Sequence, residues 1–358
     1  MQQMIEARGA EEASNYRVTA RTTMDRRAFL THLSTTVGLL SIPLSQSAVG
    51  AQRSSEPRKG RAKADIPGFR SAYAELHGVR IHYWIGGDPK GKPVLLWHGF
   101  LGTSYTWHKV MPLLAHAGYS VLAPDMRGYG DSDKPAGTEG YDARALGEEF
   151  RALVRHLEFG KGQPLVIAGY DMGGPPALIW TADHPEEVRA LLYIDVPVML
   201  TEVLTKVIAY TPEAMEEGSL WWWILPLAPD VPESLIVGTE REFLIWFYDH
   251  KSAIKGAVSS TSVEEFLRTF SGREGVLGSM GVNRAAFKTM EQTAALKDRK
   301  VQTPVIAIGG SKSRGDQIRE MISLVAANVT GVVIDDCGHF VPEEQPQELV
   351  RHIRGCFG

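Results

Sequence analysis

Cysteine is scarce in this chain. Cys337 and Cys356 are the two present among 358 residues, which excludes a disulfide framework and leaves no spacing for a zinc site. Whether the two pair stays open. Charge of one sign is not in excess either: a net charge of −4 gives no electrostatic footprint for nucleic acid, and no such partner is expected. No apolar run reaches the roughly 20 residues that a bilayer-spanning helix requires, so no stable membrane span is expected. What remains is an ordinary globular balance, 44% apolar and 22% charged, on a chain long enough for one large or two small domains.

The first fifty residues do not read as part of a fold. Arg26 and Arg27 precede the apolar stretch "LSTTVGLLSIPL", and small residues follow in "SAVGAQ". In that order the three parts read as a twin-arginine export signal within residues 1–51. The expected location is therefore the periplasm or the outside of the cell, and Met24 is a candidate start. Residues 52–67 are polar and basic and read as a flexible lead-in.

Beyond them, short apolar runs alternate with helical patterns. "VRIHYWI", "PVLLWHG", "SVLAPD", "PLVIAG", "ALLYID", "TPVIAIGG" and "GVVIDD" read as strands, most of them apolar on both faces as buried parallel strands must be. Between them "SYTWHKVMPLLAHAG", "ARALGEEFRALVRHLEF" and "PALIWTADH" carry apolar residues at helical spacing. The pattern predicts an α/β layered domain with a mainly parallel sheet. It breaks between about Val198 and Lys300, where strand runs give way to aromatic-rich helical stretches. Residues 198–300 are thus expected to be a helical cap inserted between two parts of the core, 68–197 and 301–358.

In "VIAGYDMGGPP" an apolar run ends at Gly169, Tyr170 and Asp171, with Gly173 and Gly174 following. A strand, a glycine-flanked turn and a helix form the context of a nucleophile elbow, which lifts one side chain out at the carboxyl edge of the sheet. The glycines answer strained dihedrals and close backbone approach. Pro175 and Pro176 fit only in the first turn of the helix. A carboxylate in this position attacks amides poorly, but it displaces a leaving group from saturated carbon to give an alkyl ester on the enzyme. Water activated by a histidine then cleaves the ester at its carbonyl carbon. The oxyanion that develops on Asp171 needs two amide donors, expected from Met172 and from Phe100 in "HGF".

The base should lie late in the chain, and "DDCGHFVPEEQP" offers His339. His98, His108, His116 and His156 read as packing or surface residues. Two acids could orient His339. Asp195 ends the strand "LLYID", and Asp316 lies in the polar loop of "GGSKSRGDQI".

Through "HGF", "DMRGYGDSDKP", "GYDMGG", "IDVP" and "CGHFVPEE", the chain from about Phe69 onward resembles the α/β-hydrolase family. The likeness is to its Asp-nucleophile branch of epoxide hydrolases and haloalkane or haloacetate dehalogenases, with secreted bacterial epoxide hydrolases nearest. The resemblance implies an eight-stranded, mostly parallel sheet flanked by helices, an inserted helical cap, a small-molecule substrate and no cofactor or metal. It also implies Asp195 as the acid. Set against the cap positions where epoxide hydrolases carry two ring-opening donors, Trp223 and Phe287 stand in their place, with Trp222 beside them. Tyr248 or Tyr210 is then the stand-in donor. The chain also has Met172 where haloalkane dehalogenases have tryptophan, and Met172 and Pro175 where fluoroacetate dehalogenases have arginine. Epoxide hydrolase is the leading expectation, dehalogenase the alternative, and a hydrolase-fold binding protein with little turnover a third.

Overall fold

The computed structural model describes residues 63–358 except 213, 214 and 216–220; the export signal and most of the lead-in lie outside the described residues. Eight strands form one sheet: β1 (Phe69–Leu76), β2 (Val79–Gly87), β3 (Lys92–Trp97), β4 (Tyr119–Pro124), β5 (Leu165–Tyr170), β6 (Val188–Ile194), β7 (Val305–Gly310) and β8 (Val329–Ile334). Their order is β1-β2-β4-β3-β5-β6-β7-β8. The β1–β2 and β2–β4 pairs are antiparallel and the other five are parallel.

The central strands are closed to solvent on both faces, which is why they read as unbroken apolar runs. Val94–Trp97, Val121–Ala123, Val166–Ala168 and Leu191–Ile194 have no exposed surface. The strand that reading missed is β1. It is an edge strand whose burial is patchy, so no apolar run marks it. Its signal is the turn, where His77 and Gly78 both take positive φ (51° and 80°), as a two-residue hairpin loop demands.

Helices α1 (Val110–His116), α2 (Ala143–His156) and α3 (Gly174–Asp183) cover the first half of the sheet. Between β6 and β7 come α4 (Thr201–Val207), α5 (Val231–Ile236), α6 (Glu240–Lys251), α7 (Ser260–Phe270), α8 (Gly272–Arg284) and α9 (Ala286–Ala294), and no strand lies there among the described residues. Next come α10 (Gln317–Ile322), α11 (Val341–Glu344) and α12 (Pro346–Gly355). Among the described residues no helix is long and apolar enough to cross a membrane.

Side chains of the helical insertion bond directly to core loops. Arg268 on α7 grips Asp131 through two 2.7 Å hydrogen bonds, and Tyr129 Oη donates to Ser279 O on α8 at 2.6 Å. The last residues of the stretch read as a flexible lead-in join this seam and are not loose. Lys63 Nζ sits 2.9 Å from Asp131 and 2.6 Å from His82 Nε2, the Ala64 amide donates to Glu265, and Ile66 is buried. Sequence could not announce this, because each partner lies far away along the chain.

Candidate active site

Asp171 stands at the end of β5, where a single 3₁₀ turn (Asp171–Gly173) leads into α3. The elbow is held by close approach. A Cβ on Gly99 would lie 2.4 Å from Asp171 Cβ, one on Gly169 2.8 Å from Gly173 O, and one on Gly173 2.6 Å from the carbonyls of Trp97 and His98. No side chain larger than hydrogen fits those three places. The strained dihedral, by contrast, belongs to the aspartate: Asp171 has φ +47°, while Gly173 has φ −78°. Asp can occupy that left-handed region, which β-branched residues cannot. Pro175 and Pro176 lie in the first turn of α3 as expected.

Two groups meet this carboxylate directly. Phe100 N donates to Asp171 Oδ1 at 2.6 Å, and His339 Nε2 lies 3.4 Å from Oδ2. His339 Nδ1 lies 2.6 Å from Asp195 Oδ2, which also accepts from Ser313 Oγ at 2.7 Å; Asp195 Oδ1 accepts from Gly310 N at 3.1 Å. Asp195 is buried at the end of β6 with φ +49°. Asp316 is remote from His339 in its bonding. It begins α10 at the surface and pairs with Arg319 at 2.8 Å.

The imidazole is fixed from several sides. The rings of Tyr170 and Phe340 lie 5.2 and 5.1 Å from it, and His339 N donates to Lys251 O at 2.9 Å. Buried Glu344 draws the same loop to the end of α6: its carboxylate accepts from the amides of Ala253, Ile254, Gly338 and Phe340 at 2.8–3.1 Å. A glutamate five residues past His339 was visible in "CGHFVPEE", but its distant partners, the amides of Ala253 and Ile254, were not. Beneath the Phe100 loop, His98 accepts from Met126 N at Nε2 and donates to Gly99 O, and burial lowers its pKa. It is a neutral brace.

Burial alone would depress the pKa of His339. The hydrogen bonds and charges of Asp171 and Asp195 outweigh it and push the value from 6.5 up to about 9. A raised folded-state pKa stabilises the fold fully below the unfolded value, and that contribution fades as pH rises through the folded one. Thermal unfolding of the wild type should therefore show a loss of stability between about pH 6.5 and pH 9 that His339→Gln lacks. Parallel Tm–pH profiles would contradict the assignment.

Asp171, Asp195 and His339 line a small cavity with Phe100, Trp222, Trp223, Phe247, Lys251, Ser313 and Arg314. Its free space is about 30 Å³, so any substrate beyond a few heavy atoms requires Trp223 or its neighbours to move. Several expected site residues stand elsewhere. Phe287 is 63% exposed and faces a separate apolar cavity of about 320 Å³, which Met172 also lines and Trp223 walls off. Met172 makes no hydrogen bond to the Asp171 carboxylate among the described residues. Tyr248 is buried with its hydroxyl donated to Leu101 O at 2.7 Å, and Tyr210 is 95% exposed. Trp222 and Trp223 line the same cavity as Asp171, and Trp222 also packs edge-on against Phe247. Lys251 and Arg314 were not anticipated. Both cysteines are free thiols.

A soluble epoxide hydrolase of Corynebacterium sp. strain C12 is 30% identical over 77% of this chain and 93% of its own length. The chain belongs to the α/β-hydrolase family. A family model described as alpha/beta hydrolase fold matches residues 92–219. A fluoroacetate dehalogenase of a Burkholderia species is 26% identical over 80% of this chain and 93% of its own length. The crystal structure of Cfl2 from Burkholderia cenocepacia superposes with a TM-score of 0.75 at 32% identity, covering 83% of this chain and 99% of that one. This α/β hydrolase is thus an enzyme whose relatives include both epoxide hydrolases and dehalogenases.

Proposed function

We propose that the enzyme opens an electrophilic carbon centre through an alkyl ester on Asp171, most readily as an epoxide hydrolase. One observation carries the reading: an ionisable carboxylate held at a strained turn, with an amide on one oxygen and an imidazole–carboxylate pair beside the other. Asp171 attacks the substrate carbon. The ester that results has lost the negative charge of Asp171, and with it part of what held a proton on His339. The imidazole becomes a base when a base is required, and the water it activates attacks the ester carbonyl, whose oxyanion faces Phe100 N. Asp195 orients His339 and stabilises its charged form.

The epoxide hydrolases among the relatives support the ring-opening reading. A halide leaving group is the second reading, supported by the dehalogenase among them and by Trp222 and Trp223 in the cavity lining, since an indole N–H donates a hydrogen bond without giving up a proton. Arg26 and Arg27, with the apolar stretch behind them, support a site of action outside the cytoplasm.

Labelled water tests the ester. With enzyme in excess over substrate in ¹⁸O-water, the first product should carry no label, because its new oxygen comes from Asp171. The label should appear in the peptide that contains Asp171. Label in the first product and none in that peptide would mean that water attacks the substrate directly.

A further inference from the structure

An epoxide oxygen leaves carbon as an alkoxide and requires a proton from a group that faces the nucleophile. The tyrosines that sequence offered for this are elsewhere: the Tyr248 hydroxyl is taken by Leu101 O, and Tyr210 points to solvent. Among the described residues the cavity around Asp171 is lined by a different proton carrier, Lys251.

Lys251 ends α6, and its carbonyl accepts from His339 N at 2.9 Å, so main-chain bonding holds it in register with the base. Its Nζ lies 4.3 Å from the centroid of the Trp222 ring, over the face. It forms no salt bridge among the described residues. We propose that Lys251 is the acid that protonates the departing oxygen during ring opening. The proposal rests on Asp171 being the nucleophile.

The step balances. One Asp171 oxygen bonds to carbon, the ring C–O bond breaks, its electron pair stays on oxygen, and that oxygen takes a proton from Nζ, leaving a neutral amine. Hydrolysis of the ester consumes one water, frees the diol and restores the carboxylate with release of one proton, which recharges the amine through solvent. The surroundings suit the role. Burial and the charge of Arg314, opposed by Asp195, bring the pKa of Lys251 down to about 8, close to where a general acid is most effective. Asp171, Asp195, His339 and Arg314 are the charged or titratable groups that share the cavity with it. A halide leaving group takes no proton, and this separates proton donation from a role in packing the cavity wall.

Ester formation is measured by intact-protein mass in a His339→Gln background, with an aryl epoxide and with a primary bromoalkane. Lys251→Met should slow the epoxide by roughly 10²–10⁴-fold and slow the bromide by at least about tenfold less. Lys251→Arg, which keeps the charge but does not release a proton, should also fail on the epoxide. With Lys251 present, epoxide alkylation should fall as pH rises through about 8, and in the methionine variant that limb should vanish. Equal losses on both substrates would make Lys251 a wall or an anion holder and overturn the proposal, as would an epoxide rate that is unchanged or that arginine restores. If the Lys251-containing parent forms no adduct with either substrate, the nucleophile assignment itself falls and this proposal with it.

Discussion

Asp171→Asn should abolish turnover and leave the fold standing. The substitution is nearly isosteric, and asparagine shares with aspartate a tolerance for the left-handed backbone found at this position. Its amide oxygen can still accept from Phe100 N, so the bond that ties the elbow to the β3 loop survives. What is lost is the negative oxygen that bonds to carbon. The remaining groups can bind and polarise a substrate but cannot form the ester. Where catalytic residues act as a unit, removing the nucleophile costs nearly all of the acceleration. A fall in kcat of roughly 10⁴-fold or more is expected on epoxides and on halides alike. The Tm should stay within a few degrees, shifted chiefly by the weaker hold on the His339 proton. A variant that retained a tenth of wild-type activity would show that Asp171 orients water rather than attacking.

Which parts of this site could be read from sequence follows from how each part is held together. The elbow is mostly local: an apolar strand, Gly169 and Gly173, and prolines admissible only in a first helical turn all fall within eleven residues, and Gly99 alone reaches in from another strand's end. The strand ends at Asp195 and the Gly-His pair at 338–339 are likewise marked by the runs beside them. The choice between Asp195 and Asp316 is not local. It turns on where β6 and β7 lie side by side and on Ser313 and Gly310 reaching back to one carboxylate.

The helical insertion defeated reading for a further reason. Periodicity in its helices tells that they pack but not which element their apolar face meets. Likeness to epoxide hydrolases put Phe287 at a ring-opening donor's position, whereas it is largely exposed and lines a cavity separate from the one around Asp171. Lys251 closes a helix, where the helix dipole favours any basic residue, so nothing local in the sequence marks it. Only the close approach of α6 to the His339 loop, through Glu344 and the backbone of Lys251, brings it into the cavity.

His339→Gln should stop the cycle halfway. Alkylation requires an ionised Asp171 and, for an epoxide, the donor assigned to Lys251, so it does not wait on a base. Glutamine keeps a polar group near Asp195 but cannot take a proton from water. The first half-reaction should therefore run to one equivalent and the second should slow by roughly 10²–10⁴-fold, the usual worth of a positioned general base. Mixing the variant with excess substrate should release one equivalent of halide from a haloalkane in a burst. With an epoxide, the protein should gain the full mass of the substrate on the peptide containing Asp171. The increment separates the chemistries: an opened epoxide adds all of its atoms, whereas a haloalkane adds its mass less that of HX. In the wild type the same ester should never accumulate, because its formation removes the charge that kept His339 protonated and so switches on the base that destroys it. A variant that turns over steadily with no covalent species would place the histidine outside the hydrolytic step, and the self-timed exchange of charge between Asp171 and His339 would have to be abandoned.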